Sequence, residues 1–154
     1  MKLVVQRVAR ASVVVLEPRF EASIERGLLA LCAAEQGDTT EDADCCARKL
    51  VGLRVFVDSD EKMNLAVGDV GGGLLLISNF TLAGDCRKGR RPSFDRAMRP
   101  ELAAPMFESF VERVRSEAGD LPVRTGVFGA SMQVDLVNDG PITLWIDSTD
   151  RPGR

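Results

Sequence analysis

The chain has 154 residues, of which 45% are hydrophobic and 28% charged, a balance typical of one folded domain and not of a disordered chain. Its formal net charge of −3 excludes a polycation that binds nucleic acid over its whole surface, although a local basic patch remains compatible with it. The absence of histidine and tyrosine excludes Ser-His-Asp and Cys-His catalysis, so any chemistry must rest on carboxylates, hydroxyls, lysine, backbone dipoles or the substrate itself.

Hydropathy and cysteine spacing indicate the cellular environment. No run approaches the roughly 20 apolar residues that a membrane span requires, and Lys2 and Arg7 interrupt the N-terminal hydrophobic stretch too early for a signal peptide. The four cysteines lack a Cys-x-x-Cys spacing, which favours reduced thiols over a disulfide framework or a zinc site. We therefore expect a cytoplasmic protein that uses no metal and no cofactor.

The first half of the chain predicts three strands and a helix. Residues 2–8 and 12–16 are valine-rich and are predicted to be two neighbouring strands. Residues 28–33 form an apolar run of strand length that would be buried on both faces. A helix is predicted over residues 38–52, because apolar residues recur there at helical spacing, with Asp38 at the start of a capping box.

The second half repeats this alternation of strand and helix. Residues 53–57 predict another strand, and residues 74–82 begin as a buried strand that turns polar at its end. Residues 100–118 carry a continuous apolar stripe and predict the second helix. Side chains alternate on both sides of residues 138–143, which predicts two half-buried strands with a connection between them.

These elements predict a single α/β domain over residues 1–147, made of two packed β-sheets with two principal helices on one side. Residues 148–154 are predicted to be a polar C-terminal tail. Polar strand ends are expected to converge at one edge of the sheet, where α/β proteins commonly present functional groups.

Several segments have both a structural and a functional interpretation. Hydroxyls in residues 78–81 would satisfy backbone groups where a strand stops, and the basic loop 87–91 would commonly be solvated. Gly71–Gly73 lacks the Lys-Ser/Thr ending of a phosphate loop. The pair Gly140-Pro141 is most simply part of a turn, yet it would also allow a rigid backbone to approach another group closely. Spacing alone leaves these alternatives open.

Seven short segments together form a recognisable pattern. They are Gln6-Arg7-Val8, Arg10 to Val13, Lys62 to Leu65, Ser78-Asn79-Phe80-Thr81-Leu82, Arg87 to Phe94, Thr125 to Ala130, and Asn138 to Thr143. In sequence and in order they resemble the motifs of the D-aminoacyl-tRNA deacylases, and they span nearly the whole chain. The resemblance implies a homodimer that hydrolyses the ester between the terminal adenosine of tRNA and a D-amino acid, or glycine mischarged on tRNA.

The resemblance also implies roles for individual residues. It implies a catalytic pocket formed by Ser78, Asn79, Phe80 and Thr81, and contacts to adenosine or tRNA from Phe128, Met132, Arg87, Lys88, Arg90 and Arg91. It implies that Gly140 and Pro141 are joined by a cis peptide bond and enter the partner subunit's pocket. Their carbonyls would face the substrate's α-ammonium there, and an L side chain would clash with them.

Catalysis in such a pocket would not use a threonine nucleophile. No histidine exists to activate Thr81, so it would be a poor nucleophile. Backbone N–H groups near Phe80 and Thr81 are better candidates for stabilising the developing oxyanion, and the substrate's own 2′-hydroxyl is a better candidate for assisting the attack of water.

Three positions depart from the family pattern. Asn79 stands where the family usually has the longer Gln, and Arg124 and Ser131 replace acidic residues expected on either side of residues 125–130. The alternative function is a non-catalytic RNA-binding module that keeps the basic loop. A small-molecule esterase would lack a catalytic triad and would leave that loop without a purpose.

Overall fold

The computed structural model of the protein describes residues 1–150. The strands are β1 (Lys2–Val15), β2 (Phe20–Ile24), β3 (Gly27–Ala33), β4 (Phe56–Val57), β5 (Met63–Leu65), β6 (Gly73–Ser78), β7 (Val123–Thr125) and β8 (Gln133–Asp147). The helices are α1 (Thr40–Val51) and α2 (Pro100–Ala118), and two 3₁₀ turns cover Phe80–Ala83 and Ser148–Asp150. The prediction of a single α/β domain with two principal helices is confirmed.

Six of the strands form one mixed sheet. Its order is β2, β1, β3, β6, β7, and β8 pairs with the other edge of β1. The pairs of β1 with β2, β3 and β8 are antiparallel, whereas β3 with β6 and β6 with β7 are parallel. Strands β4 and β5 form a separate small hairpin.

The packing of two sheet layers arises because the large sheet folds over on itself. Alternate residues of β3 and β6 face opposite sides. Leu28 and Leu74 point towards α1 and α2 in one hydrophobic core. Leu29 and Leu75 point the other way, into a second core that includes Val13 from the far half of β1. As the continuous apolar runs predict, β3 and β6 are buried on both faces.

In two places, the sequence predicts two separate strands where the structure has one continuous strand. Strand β1 runs unbroken through residues 9–11, and β8 runs through residues 138–143. Opposite Arg7 the pairing shifts, so that residues 139–142 of β8 face a single residue of β1. This is a bulge, and the interpretation of the segment as a turn is wrong, because β8 keeps its direction and pairs with β1 on both sides.

Helix α1 begins later than the sequence pattern predicts. Its N-cap is Thr39, whose N–H and hydroxyl donate to the Asp42 carboxylate at 2.9 and 3.0 Å. Asp38, the predicted cap, instead accepts hydrogen bonds from the Met1 ammonium and from the Glu35 N–H, both at 2.6 Å. The cap lies one residue further along because these tertiary contacts engage Asp38.

The structure differs from the predicted polar tail at its first residues. Ser148 is buried, its hydroxyl accepts a hydrogen bond from the Met1 ammonium at 2.6 Å, and its N–H donates to the Met1 carbonyl at 2.9 Å. Residues 151–154 of the predicted tail lie outside the described residues. Within residues 1–150, no helix combines the length and the apolar character that crossing a membrane requires.

We predict that Gly27→Ala destabilises the fold, because β3 and β6 approach each other too closely there for a side chain. A Cβ on Gly27 would lie 2.0 Å from the carbonyl oxygen of Gly73. Because this oxygen belongs to the backbone, it cannot rotate away from the clash as a side chain could. The expected loss is about 3 kcal/mol of unfolding free energy, measured by urea denaturation. Gly68→Ala is the control, since its Cβ would meet only Leu121 at 3.7 Å. Equal stability of the two variants would contradict this.

Candidate active site

A cavity of about 880 Å³ lies where the parallel strands β3 and β6 end. Ser78, Asn79 and Phe80 line it on the side of β6, and Phe128 and Met132 line it between β7 and β8. The start of α2 and residues 94–99 contribute further lining residues. The structure therefore brings five of the predicted site residues together around one cavity.

Asn79 organises the turn that follows β6. Its side-chain oxygen accepts hydrogen bonds from the Thr81 hydroxyl and, at 3.3 Å, from the Thr81 N–H. Its own N–H donates to the Cys32 carbonyl at 2.7 Å, which fixes the turn to the end of β3. Asn79 is thus a cap for the 3₁₀ turn. The N–H of Phe80 makes no hydrogen bond within residues 1–150.

Thr81 is placed differently from its predicted partners. It is exposed, it does not line the cavity, and its hydroxyl donates back to Asn79. Of the two N–H groups predicted to face an oxyanion, that of Thr81 is engaged by Asn79, so the N–H of Phe80 is the better placed donor.

Two pairs of aromatic rings stand at the cavity. The Phe80 and Phe94 rings meet edge to face with centroids 5.1 Å apart, and Phe107 and Phe128 lie 6.2 Å apart. Phe80 is 58% exposed and Phe128 38%. Exposed ring faces beside a cavity can stack on a flat heterocycle such as a nucleobase. Sequence reasoning did not single out Phe94, although it ends one of the recognised motifs.

The basic residues lie on a loop beside the cavity and do not line it. Two backbone hydrogen bonds of 2.7 and 2.9 Å between Asp85 and Ser93 close this loop. The Arg87 guanidinium donates to the Asp85 carboxylate, and these hydrogen bonds hold the pKa of that carboxyl well below its usual range. Lys88, Arg90 and Arg91 are exposed and form no ion pair within the described part of the chain.

Gly140 and Pro141 do not line the cavity of their own chain and lie away from Ser78. They occupy the β8 bulge opposite Arg7, which faces Leu28 near the start of β3. Ser78 faces Cys32 at the end of β3, roughly 13 Å further along that strand. Gly140 and Pro141 are exposed, and the peptide bond between them is cis.

Arg7 supports the bulge from inside the protein. Its side chain is 9% exposed, its Nη1 donates to the Val55 carbonyl at 2.6 Å, and its Nε lies 2.9 Å from the Asp139 carboxylate. The contact with Asp139 is an ion pair that lacks hydrogen-bond geometry. Because a buried charge is costly without partners, this pairing ties the guanidinium to the bulge. A Cβ on Gly140 would lie 3.1 Å from Nη2 of Arg7 and 2.8 Å from Ile142.

Asn138 ties the base of the same bulge. Its side-chain amide donates to the Arg7 carbonyl at 3.0 Å and to the Ile142 carbonyl at 2.9 Å. The Thr143 hydroxyl donates to the Asn138 side-chain oxygen at 3.4 Å. Gly140 and Pro141 therefore project from a base that is hydrogen-bonded on both sides.

The sequence contains a signal for Arg7 that the prediction did not use. Leu3, Val5 and Arg7 fall on one face of β1, and the first two are buried in the core. A charged residue at a core-facing position of an apolar strand needs a specific partner. Arg124 and Ser131, the other departures from the family pattern, are exposed.

Cys32 lines the cavity but is not placed as a nucleophile. Its thiol donates to the Ala30 carbonyl, and burial raises its pKa, which suppresses the reactive thiolate. Burial likewise raises the pKa of Cys46 to about 12. All four cysteines are free, as their spacing predicts.

Known proteins resemble this chain over nearly its whole length. The D-Tyr-tRNA(Tyr) deacylase family matches residues 4–147. The D-aminoacyl-tRNA deacylase of Koribacter versatilis (strain Ellin345) is 55% identical over 148 residues, which cover 96% of this chain and 97% of the relative. That of Geotalea uraniireducens (strain Rf4) is 51% identical over 154 residues, which cover 100% of this chain and 97% of the relative.

Two solved structures share the fold. A protein described as the c-Myc DNA unwinding element binding protein superposes with a TM-score of 0.88 at 38% identity, covering 96% of this chain and 98% of that one. A probable eukaryotic D-amino acid tRNA deacylase superposes with a TM-score of 0.77 over 95% of this chain and 98% of its own. At 19% identity, the second likeness supports the fold alone.

Proposed function

The chain belongs to the D-Tyr-tRNA(Tyr) deacylase family, and from that premise we propose that it hydrolyses the ester bond of D-aminoacyl-tRNA, and of glycine mischarged on tRNA. The products are a free amino acid and a tRNA with a free terminal ribose. The observation that carries the proposal is the cavity lined by Ser78, Asn79 and Phe80, within a chain that the family matches from residue 4 to residue 147. Because aminoacyl-tRNA is used in translation, the cytoplasm is the proposed location.

Hydrolysis proceeds by attack of water on the ester carbonyl carbon. The bond between that carbon and the ribose oxygen breaks, and the ribose oxygen takes a proton as it leaves. The N–H of Phe80 is the proposed donor to the oxyanion, since it has no acceptor within residues 1–150. A donor of this kind is worth about 3 kcal/mol of transition-state stabilisation in other acyl-transfer enzymes.

The substrate's own 2′-hydroxyl relays a proton in this mechanism: it takes one from the attacking water and gives its own to the leaving ribose oxygen. Thr81 cannot readily act as the base or the nucleophile, because its hydroxyl is donated to Asn79 and the chain contains no histidine. The terminal adenine stacks on the exposed ring of Phe128, with Met132 beside it on the same cavity wall.

A second copy of the chain completes the pocket in this proposal. Among the described strands, β8 pairs only with β1, which leaves a 15-residue edge with unpaired backbone groups. Such an edge is normally covered by another chain or protected. Val137 and Trp145 on this strand are also exposed. We propose that two copies form a homodimer through β8.

Across that two-fold axis, Gly140 and Pro141 of one subunit enter the other subunit's cavity. Both are exposed and stand on a supported bulge, yet they do not line the cavity of their own chain. Backbone carbonyls in this position would hold the substrate's α-ammonium and leave no room for an L side chain. Selection would then depend on a clash, which needs a rigid support of the kind that Arg7 and Asn138 provide.

The second candidate function is a non-catalytic RNA-binding module, favoured by the exposed cations Lys88, Arg90 and Arg91. One experiment separates it from the proposed function. Pure protein is mixed with D-aminoacyl-tRNA and with its L counterpart, and release of free amino acid is followed. We expect rapid release from the D substrate only. Binding of both substrates without release would support the second candidate.

We predict that Thr81→Ala folds and keeps activity within about tenfold of the wild type, because the oxyanion donor is backbone and the hydroxyl is not a nucleophile. Thr81→Ser, which retains the hydroxyl, is the comparison. The rate of amino acid release is the measurement. A loss on the order of 10⁴-fold in the alanine variant, as for a missing covalent nucleophile, would contradict the mechanism, as would a trapped acyl-threonine.

Charge reversal at Arg87, Lys88, Arg90 and Arg91 is expected to weaken tRNA binding without changing the preference for D substrates. Phosphate contacts position a ligand and do not read the amino acid. The slope of log K against log salt should fall by about 0.7–0.9 for each phosphate contact removed.

The matched control is Arg115→Glu, since Arg115 forms an exposed ion pair with Glu112 on α2, away from the basic loop. It should leave both affinity and slope as in the wild type. If the loop variant also binds with unchanged affinity and slope, the loop is only solvated.

We expect Gly140→Ala to lose discrimination between D and L substrates. A Cβ would press on Ile142 and on Arg7, and the φ of +122° at this position is unfavourable for alanine. Gly119→Ala is the control, because Gly119 has a φ of +61° but nothing within 4 Å of its Cβ position. The ratio of D to L rates is the readout. A ratio that stays at the wild-type value in Gly140→Ala would remove these residues from chiral selection.

A further inference from the structure

We infer that Glu35 is a positioning residue for the cavity: through Arg96 it holds the segment 93–98 in place, and so keeps Phe94 against Phe80. The inference rests on the proposed function, since it concerns the same cavity. Neither Glu35 nor Arg96 lines that cavity, so both act at a distance from the substrate.

Glu35 is a buried carboxylate between two cations. Its side chain is 9% exposed; one oxygen lies 2.9 Å from the Lys2 ammonium and the other 3.2 Å from Nη2 of Arg96. A carboxylate is rarely buried unless it is paired, and this pairing uses both of its oxygens. One of the two partners belongs to β1 and the other to the segment that follows the basic loop.

The backbone beside this ion pair joins the same two segments. Glu35 and Ala97 form an antiparallel bridge, in which Gln36 N–H donates to the Arg96 carbonyl at 2.9 Å. The Met98 N–H donates to the Ala34 carbonyl at 3.0 Å. Ala34, Ala97 and Met98 line the cavity, so this junction forms part of its wall.

Phe94 connects this segment to the 3₁₀ turn Phe80–Ala83 that follows β6. Its ring lies edge to face against Phe80, and its Cε1 would be 3.0 Å from a Cβ on Gly84. A Cβ at position 84 would also lie 2.9 Å from the Thr81 carbonyl oxygen, so the glycine lets the ring pack close to the backbone that ends the turn. A displacement of residues 93–98 would therefore move Phe94 and release the ring of Phe80.

This arrangement predicts an effect on kcat that a phosphate contact would not produce. Loosening of the Phe80–Phe94 pair would disturb the reacting end of the substrate, where a small displacement of the reacting atoms lowers the rate strongly. Loss of a contact to the tRNA backbone would raise KM and leave kcat unchanged. Arg96 is 58% exposed and could therefore also contact tRNA. A change in kcat would indicate the positioning role, whereas a change in KM alone would indicate a contact to tRNA.

The decisive variant is Arg96→Gln, because it leaves Glu35 paired with Lys2 and so leaves no buried charge without a partner. With D-aminoacyl-tRNA as substrate, we expect kcat to fall about fivefold, the size of effect that a partly exposed ion pair can support. Glu35→Asp withdraws the carboxylate from Lys2 and Arg96 alike, so kcat should fall at least as far as in Arg96→Gln. Thermal unfolding midpoints are measured alongside.

The matched control is Arg113→Gln, which removes a half-exposed arginine paired with Asp44 and Glu117 on the helices. Its kcat should stay at the wild-type value. The inference is overturned if Arg96→Gln raises KM at an unchanged kcat, if Glu35→Asp leaves kcat unchanged, or if the control loses as much kcat. If instead the wild type releases no amino acid from D-aminoacyl-tRNA, the proposed function itself fails.

Discussion

The pairing of β1 with β8 on both sides of the Arg7 bulge is the interaction on which the rest of the architecture depends. It joins the two halves of the folded sheet, and it fixes residues 139–142 as an outward projection instead of a mobile turn. The buried guanidinium of Arg7 is compensated by the Val55 carbonyl and the Asp139 carboxylate, so it ties the projection to the core. Among the described residues, the other edge of β8 pairs with no strand, and this is the edge proposed to meet a second chain.

The reacting end of the cavity, beside Ser78 and Phe80, has its own supports. Parallel pairing of β3 with β6 brings their carboxyl ends together, and Asn79 closes the turn above them. The wall opposite is carried by the segment around Phe94, which Glu35 anchors. In the proposed mechanism the cavity would hold the reacting ester and the bulge of another subunit would supply the selector. Such a division of roles would require two copies.

Sequence periodicity was sufficient for the elements that bury one continuous apolar stripe or run. The helix at residues 100–118 and the doubly buried strands β3 and β6 follow from such patterns, since solvent exclusion alone specifies them. Three features could not be predicted in this way. The bulge at 139–142 interrupts the alternation of side chains just as a turn does. Asp38 accepts a hydrogen bond from the distant Met1 ammonium and so does not cap the helix. Glu35 and Arg96 are far apart in sequence and pair only in the folded chain. In the site, residues 78–81 were recognised as a motif, but the engagement of Thr81 by Asn79 depends on side-chain directions that the sequence does not encode locally.

Subunit mixing tests the central claim, that the selector of one chain serves the cavity of another. One variant would carry Ala103→Trp, which fills the cavity that Ala103 lines, and the other Gly140→Trp, which obstructs the projection. Each homodimer should be inactive on D-aminoacyl-tRNA. Mixed dimers contain one intact cavity facing one intact projection, so refolding an equal mixture should restore about one quarter of the wild-type activity. If the mixture stays as inactive as its components while mixed dimers form, the selector and the cavity act within one chain, and the account is contradicted.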